Sequence, residues 1–344
     1  MGMRSLGWLS IAAFFGGLSS ADAAEDFYKG KQITLISTAD AGSVYVTYAR
    51  LLAQHMPDHI PGRPTMIVQM MPGASGLTGA GFIYNAAPRD GTVLAGVNAN
   101  IPMAPLLSRD AAKFDVNKYS WIGNISRDPF VGFVWHTTPI QTLDDAKTTE
   151  VVLGGQALGA ASVDMPVLAK ELLGLKVRIV TGYKSSAETK LALEKGEIQG
   201  VFGNLWTSLK TEKPDWLADR KIRIVTQFGF SKHPDLADVP LFMDLAKTVE
   251  DRQLLELLLA RQEFAKPYVA PPEVPAERVA ILRRAFDATL KDPRFLAAAE
   301  KMNLPIDRPM TGEELAATTE HISQTPPAVL KRLEDIFANF RAGK

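Results

Sequence analysis

Ile33, Leu35 and Ile36 form a short apolar run that ends in small and turn-forming residues at 38–42. At Ser43 the period changes. Val44, Tyr48, Leu51, Leu52 and His55 fall at i, i+4, i+7, i+8 and i+11, one face of a helix. The pattern predicts a buried strand, a glycine turn and an amphipathic helix with Ser43 as N-cap, although no Glu or Gln follows at the third helical position to complete a capping box. A turn of this kind leaves backbone N–H groups without partners, and the helix dipole makes it a seat for an anion.

The same rhythm continues to about residue 230. Strands are expected at 65–70, 92–97, 121–125, 130–135, 151–153, 177–180, 198–202 and 222–226. Helices are expected at 77–85, from Thr142 to Lys147, after the small-residue turn at 154–162, and at 187–195, where Gly196 closes the helix. Strand–turn–helix repetition implies mostly parallel sheets flanked by helices, with ligands at the carboxyl ends of the strands. Beyond residue 230 the chain reads as helical at roughly 239–260, 277–290, 293–302, 311–320 and 327–340, while 266–275 holds four prolines and reads as extended. The expectation is an α/β protein of two lobes with more than one crossing strand, and hence a hinge.

Composition narrows the classes. The 344 residues suffice for two full cores, and 38 basic residues balance 38 acidic ones. Neutrality, with no run of Lys and Arg interleaved with aromatics, argues against nucleic acid as a partner. Cysteine is absent, so thiol chemistry, disulfides and Cys–zinc sites are excluded. Residues 1–23 read as a secretory signal: Arg4, an apolar stretch from Leu6 to Leu18, and Ala21-Asp22-Ala23 as cleavage site. The mature protein is therefore expected to be exported and soluble.

Three glycine and small-residue turns follow strands: 39–43, 73–76 and 155–162. None matches a phosphate loop, and none completes a dinucleotide fingerprint. His55 and His59 are four apart, but Pro57 lies between them and no third ligand is near, so no metal or cofactor is expected. Ser75 sits in a Gly-Ala-Ser-Gly turn with no base placed beside it, and no nucleophile elbow or H-E-x-x-H motif occurs, so no catalytic residue is assigned. Tyr183, directly before a helix, is read either as closing over a ligand or as packing at a lobe rim. A micromolar ligand needs about −8 kcal/mol, whereas one helix N-terminus supplies at most about 2. Three or four charge-assisted hydrogen bonds of about 1.5–3 kcal/mol each, less ordering costs, would suffice if drawn from both lobes.

Several stretches together resemble a known family: AGSVYVTYAR, the pattern at 61–74 ending in MPGA, AAPRDGTVLAG at 86–96, VTGYKSSAETKLALEKGEIQG at 180–200, KPDWLADRKIRIVTQ at 213–227, KHPDLADVPLFMDLAK at 232–247 and AFDATLKDPRF at 285–295. The family is the tripartite tricarboxylate transporter substrate-binding proteins, or Bug-type receptors. The resemblance implies a type II, Venus-flytrap periplasmic binding protein that captures a small carboxylate and presents it to a membrane permease, acting as a monomer. It implies lobes at 24–124 plus 227–344 and at 125–226. The site it implies comprises Ala41, Gly42, Ser43, Val44, Tyr45, Gly73, Ala74, Ser75 and Gly76 from one lobe. From the other come Gly159, Ala160, Ala161, Ser162, Gly182, Tyr183 and Asn204. The chain departs from the family's G-G-x-D at Ser43-Val44-Tyr45-Val46, with Val44 for a glycine and Val46 for the acid, which points to a less hydrophilic ligand than citrate. An exported hydrolase of carboxylate substrates and a sensor subunit of the same fold stand as alternatives.

Overall fold

The computed structural model describes residues 27–39, 41, 43–107, 112–183 and 185–343, without the Arg261 side chain. The expected signal at 1–23 and Gly42 lie outside the described residues. In the first stretch come β1 (Gln32–Ser37), α1 (Val44–His55), β2 (Thr65–Met70), α2 (Leu77–Asn85), β3 (Val93–Gly96), α3 (Ala104–Leu107) and β4 (Ser120–Asn124). Next follow β5 (Phe130–Trp135), β6 (Val151–Gly154), α4 (Ala161–Leu173), β7 (Val177–Val180), α5 (Ser186–Glu194), β8 (Gly200–Leu205), α6 (Trp206–Glu212), α7 (Pro214–Ala218) and β9 (Ile222–Phe228). Last are α8 (Val249–Glu263), β10 (Pro267–Ala270), α9 (Ala276–Thr289), α10 (Pro293–Lys301), β11 (Met310–Thr311), α11 (Gly312–Ser323) and α12 (Pro327–Arg341).

The strands form two sheets, ordered β11-β4-β10-β3-β1-β2 and β7-β6-β8-β5-β9. Both are mixed, where the hydrophobic pattern implied mostly parallel pairing. β1 pairs parallel with β2 and β3, and β6 pairs parallel with β7 and β8. β10 runs antiparallel to β3 and β4, and β5 runs antiparallel to β8 and β9. The parallel pairs are joined by helical crossovers. The antiparallel ones involve the strands that enter from the other sheet, whose direction the local pattern does not encode.

α1 buries Val46, Tyr48, Ala49, Leu51 and Leu52, while Val44 stays 46% exposed. Val44 was expected on the packed face. The packed stripe is instead carried by Val46, the position of the family's acid. Among the expected strands, β2 and β7 match in extent, whereas β8 begins two residues later than read, because Gly200 rather than Ile198 pairs with the neighbouring strands.

α8 buries leucines on most of its circumference: Leu254, Leu255, Leu257, Leu258 and Leu259. Such a helix is enclosed by protein, and α12 and α11 both pack on it. α12 also packs on α4, so the C-terminal helix touches elements of both sheets. α8 starts with a capping box: Thr248 Oγ1 accepts from Asp251 N at 3.0 Å, and Asp251 Oδ2 accepts from Thr248 N at 3.2 Å. The second Asp251 oxygen accepts from Arg332 Nη2 of α12 at 2.6 Å. No helix among the described residues is long and apolar enough to cross a membrane.

Replacing Asp251 by Ala should remove the box and the tie to α12, lowering the unfolding free energy by about 1–2 kcal/mol in urea titrations. A change within a few tenths would show that neither contact holds the two helices together.

Candidate functional site

α1 begins as read: Ser43 has extended backbone and its hydroxyl accepts from Tyr45 N at 3.3 Å. That bond satisfies one of the donors expected to face an anion. The Ser43 carbonyl takes two more, from Val46 N at 3.0 Å and Thr47 N at 3.4 Å. Ala41 lies exposed in the turn before it.

The Gly73–Gly76 turn lies beside α1, and a third loop joins the two. Asn98 and Asn100 each donate through Nδ2 to the Ser75 carbonyl at 3.3 Å. Thr38, at the end of β1, donates to Asn98 Oδ1 at 3.0 Å and accepts from Asn98 N at 3.1 Å. The Tyr45 hydroxyl accepts from Ala99 N at 3.4 Å. The three post-strand segments of the first sheet thus meet on one rim, tied by Asn98 and Asn100. All four residues of the 73–76 turn have positive φ, including Ala74 at 46° and Ser75 at 55°. Left-handed backbone on non-glycine residues is costly and is retained where surroundings fix it.

On the second sheet, α4 has no side-chain cap; Ala160 precedes its first turn in extended backbone. Two glycines allow that turn to press on the strand ends. A β-carbon at Gly155 would meet the Ser162 carbonyl, and one at Gly203 (φ +91°) would collide with the Ala161 carbonyl. The Ser162 hydroxyl accepts from Gln156 N at 3.1 Å and keeps its own proton to donate. Gly159 N donates to the buried Asp164 at 2.8 Å, so this expected donor is turned inward. A hollow of about 340 Å³ opens here, lined by Phe130, Gln156, Gly159, Ala160, Ala161, Ser162, Ser186, Gly203, Asn204, Leu205 and Ser208. Five of the residues singled out from sequence, 159–162 and Asn204, line it together. Gly182 borders it through a 2.8 Å bond from its N–H to the Gln156 carbonyl. Tyr183 sets its ring edge near Gly154 and packs against the cluster that holds Phe133 and Trp216, and it is not among the residues lining this hollow.

A second hollow of about 210 Å³ shares the wall residues Leu205 and Ser208 with the first and is lined from elements of the other lobe by Val44, Tyr48, Asn303 and Pro305. Ser126, Asp128, Thr207, Thr211, Ala265 and Lys266 complete its lining. Val44 is therefore the predicted α1 residue that faces elements of the other sheet, and the 73–76 turn lines neither hollow. Asp128 is buried and accepts from Thr207 N at 3.2 Å and from the Thr207 hydroxyl. Burial pushes its carboxyl above the usual range, against the Thr207 bonds and the Lys266 charge. Lys266 sits over the rings of Tyr45 and Tyr48, 4.7 and 5.4 Å from their centroids. Burial draws its ammonium below the ordinary lysine range, and the Asp128 charge opposes that. Neither residue was singled out from sequence. The signals were an acid before Pro129 at a lobe crossing and a lysine opening a proline-rich extended stretch. His59 pairs with Asp292 at 3.1 Å and His55 stacks edge-on against Phe295, so both have structural partners.

No family model matches the chain. A relative from Agrobacterium vitis, described as a UPF0065 protein in the TAR-I ttuE-ttuC' intergenic region, is 26% identical over 332 residues, covering 93% of this chain and 87% of its own. A TctC solute-binding protein from Polaromonas superposes with a TM-score of 0.70 at 18% identity, covering 90% of this chain and 99% of its own. The periplasmic binding protein BugD gives 0.53 at 18% identity, with 90% and 98% covered. A Rhodopseudomonas palustris protein solved with adipate gives 0.53 at 19% identity, with 89% and 96% covered. The fold is thus that of the type II periplasmic binding proteins, two α/β lobes. Within that class the similarity, in sequence over nearly the whole chain and in fold, is to the Bug and TctC solute-binding proteins, as the motifs implied.

Two substitutions test the local physics. Gly203→Ala should cost about 2–4 kcal/mol of stability, from the collision with α4 and the backbone strain together. Ser75→Gly should leave the unliganded protein as stable or up to about 1 kcal/mol more stable in urea, since the Asn98 and Asn100 bonds go to the carbonyl. A marked loss would mean the Ser75 hydroxyl helps to hold the turn.

Proposed function

We propose that the chain is an extracytoplasmic solute receptor that holds a small organic carboxylate between its lobes and delivers it to a tripartite tricarboxylate-type membrane permease. The observation that carries this reading is the uncapped start of α4, with Ala160, Ala161, Ser162 and Asn204 gathered around one hollow that shares Leu205 and Ser208 with a second hollow lined by Val44. A helix N-terminus of this kind receives an anion through backbone N–H groups and the dipole. The adipate complex of a protein with the same fold supports a carboxylate as the guest. Export by the 1–23 signal, action as a monomer, and lobes at 24–124 plus 227–344 and 125–226 belong to the same reading.

The walls favour a ligand with apolar surface. Val44 and Leu205 are 46% and 36% exposed and line the second hollow. Val46 is fully buried, so no acid stands at that position to order water around a hydrophilic guest. Titrating the purified protein with mono-, di- and tricarboxylates, followed by thermal shift and calorimetry, should show an aliphatic carboxylate binding more tightly than citrate and recovered unchanged. Tightest binding of citrate would contradict the apolar reading, and turnover of the ligand would contradict the receptor reading.

A further inference from the structure

Lys266 is the cation among the residues lining the two neighbouring hollows. Its ammonium donates to the Ala265 carbonyl at 3.1 Å and lies over the rings of Tyr45 and Tyr48. It makes no ion pair within 4.0 Å among the described residues. Asp128, the acid of the same hollow, is held by Thr207 instead. The other charges of the region are matched: Arg127 with Glu263 at 3.5 Å and His233 with Asp307 at 2.9 Å. A largely desolvated ammonium with donor capacity to spare and a hollow in front of it is suited to a negatively charged guest.

We propose that Lys266 is the counter-ion for a ligand carboxylate in the hollow beside α1, and that it sets the receptor's preference for a guest charged at that end. This deepens the receptor reading above and rests on it. The two hollows would then read a guest by different means. Neutral backbone dipoles receive one end at the start of α4. A full positive charge, in a hollow that Ser126 and Ser208 also line, receives the other. Leu205, which lines both hollows, lies against the aliphatic middle of the guest.

The test compares adipate with its monomethyl ester by calorimetry on the wild-type protein and on Lys266→Met and Lys266→Arg. Wild type should prefer adipate over the ester by about ten-fold or more, as expected for one charge-assisted contact. Lys266→Met should lose that preference, binding adipate no better than the ester, while Lys266→Arg keeps it. If Lys266→Met fails to fold, Lys266→Gln is read in the same way. Retention of the wild-type preference by the neutral variant overturns the assignment of Lys266 alone. Failure of the wild type to bind either compound, or any carboxylate of the titration series, overturns the receptor reading and this assignment together.

Discussion

The buried side chain of Asn124 stitches together the two places where the chain crosses between sheets. Its Nδ2 donates to the carbonyls of Ser126 and Glu263 at 2.6 and 2.8 Å, and its Oδ1 accepts from Lys266 N at 2.7 Å. The first crossing runs from β4 to β5, and the second, leaving β9, re-enters the first sheet through α8 at β10. Backbone leaving a sheet inside a protein loses its ladder partners, and each unmatched group there is costly. One amide satisfies both departures at once and so fixes their separation. The placement of Lys266 beneath α1, and of Asp128 across the hollow from it, follows from that junction.

The two halves of the site reach a similar end by different local physics. At α4 the helix is brought close: Gly155 and Gly203 remove the side chains that would hold its first turn off the strand ends. At α1 the helix is capped by its own Ser43, and the polar rim is built by Asn98 and Asn100 clasping a turn of unfavourable backbone geometry. A rim held this way has little freedom left to lose on binding.

Much of the fold was legible because burial imposes a period. The strands at β2 and β7 and the helix at α2 were readable to the residue, since each is short, apolar and bounded by Gly, Pro or Asn. Strand direction was not legible at the crossings, because β5 and β10 carry the same apolar signature in either orientation. The small-residue turns pointed to 159–162 and the family resemblance added Asn204, yet sequence could not say that Asp164 would take the Gly159 donor or that Tyr183 would stay out of the hollow's lining. Lys266 escaped notice because its environment is assembled from α1, the β4–β5 crossing and α6, which are distant in sequence.

α12 lies against α4 on one side and α8 on the other, anchored to α8 by the Arg332–Asp251 pair. A movement of the lobes about the hinge expected from the sequence would therefore also have to slide interlocked side chains along that helix, as in a shear joint. Travel in a shear joint is short and proceeds by steps between packed arrangements. On the proposed reading, the span between the start of α4 and Lys266 would then be closer to a fixed gauge than to an adjustable clamp, and the C-terminal helix, far from the hollow in sequence, would help to set the length of guest that fits.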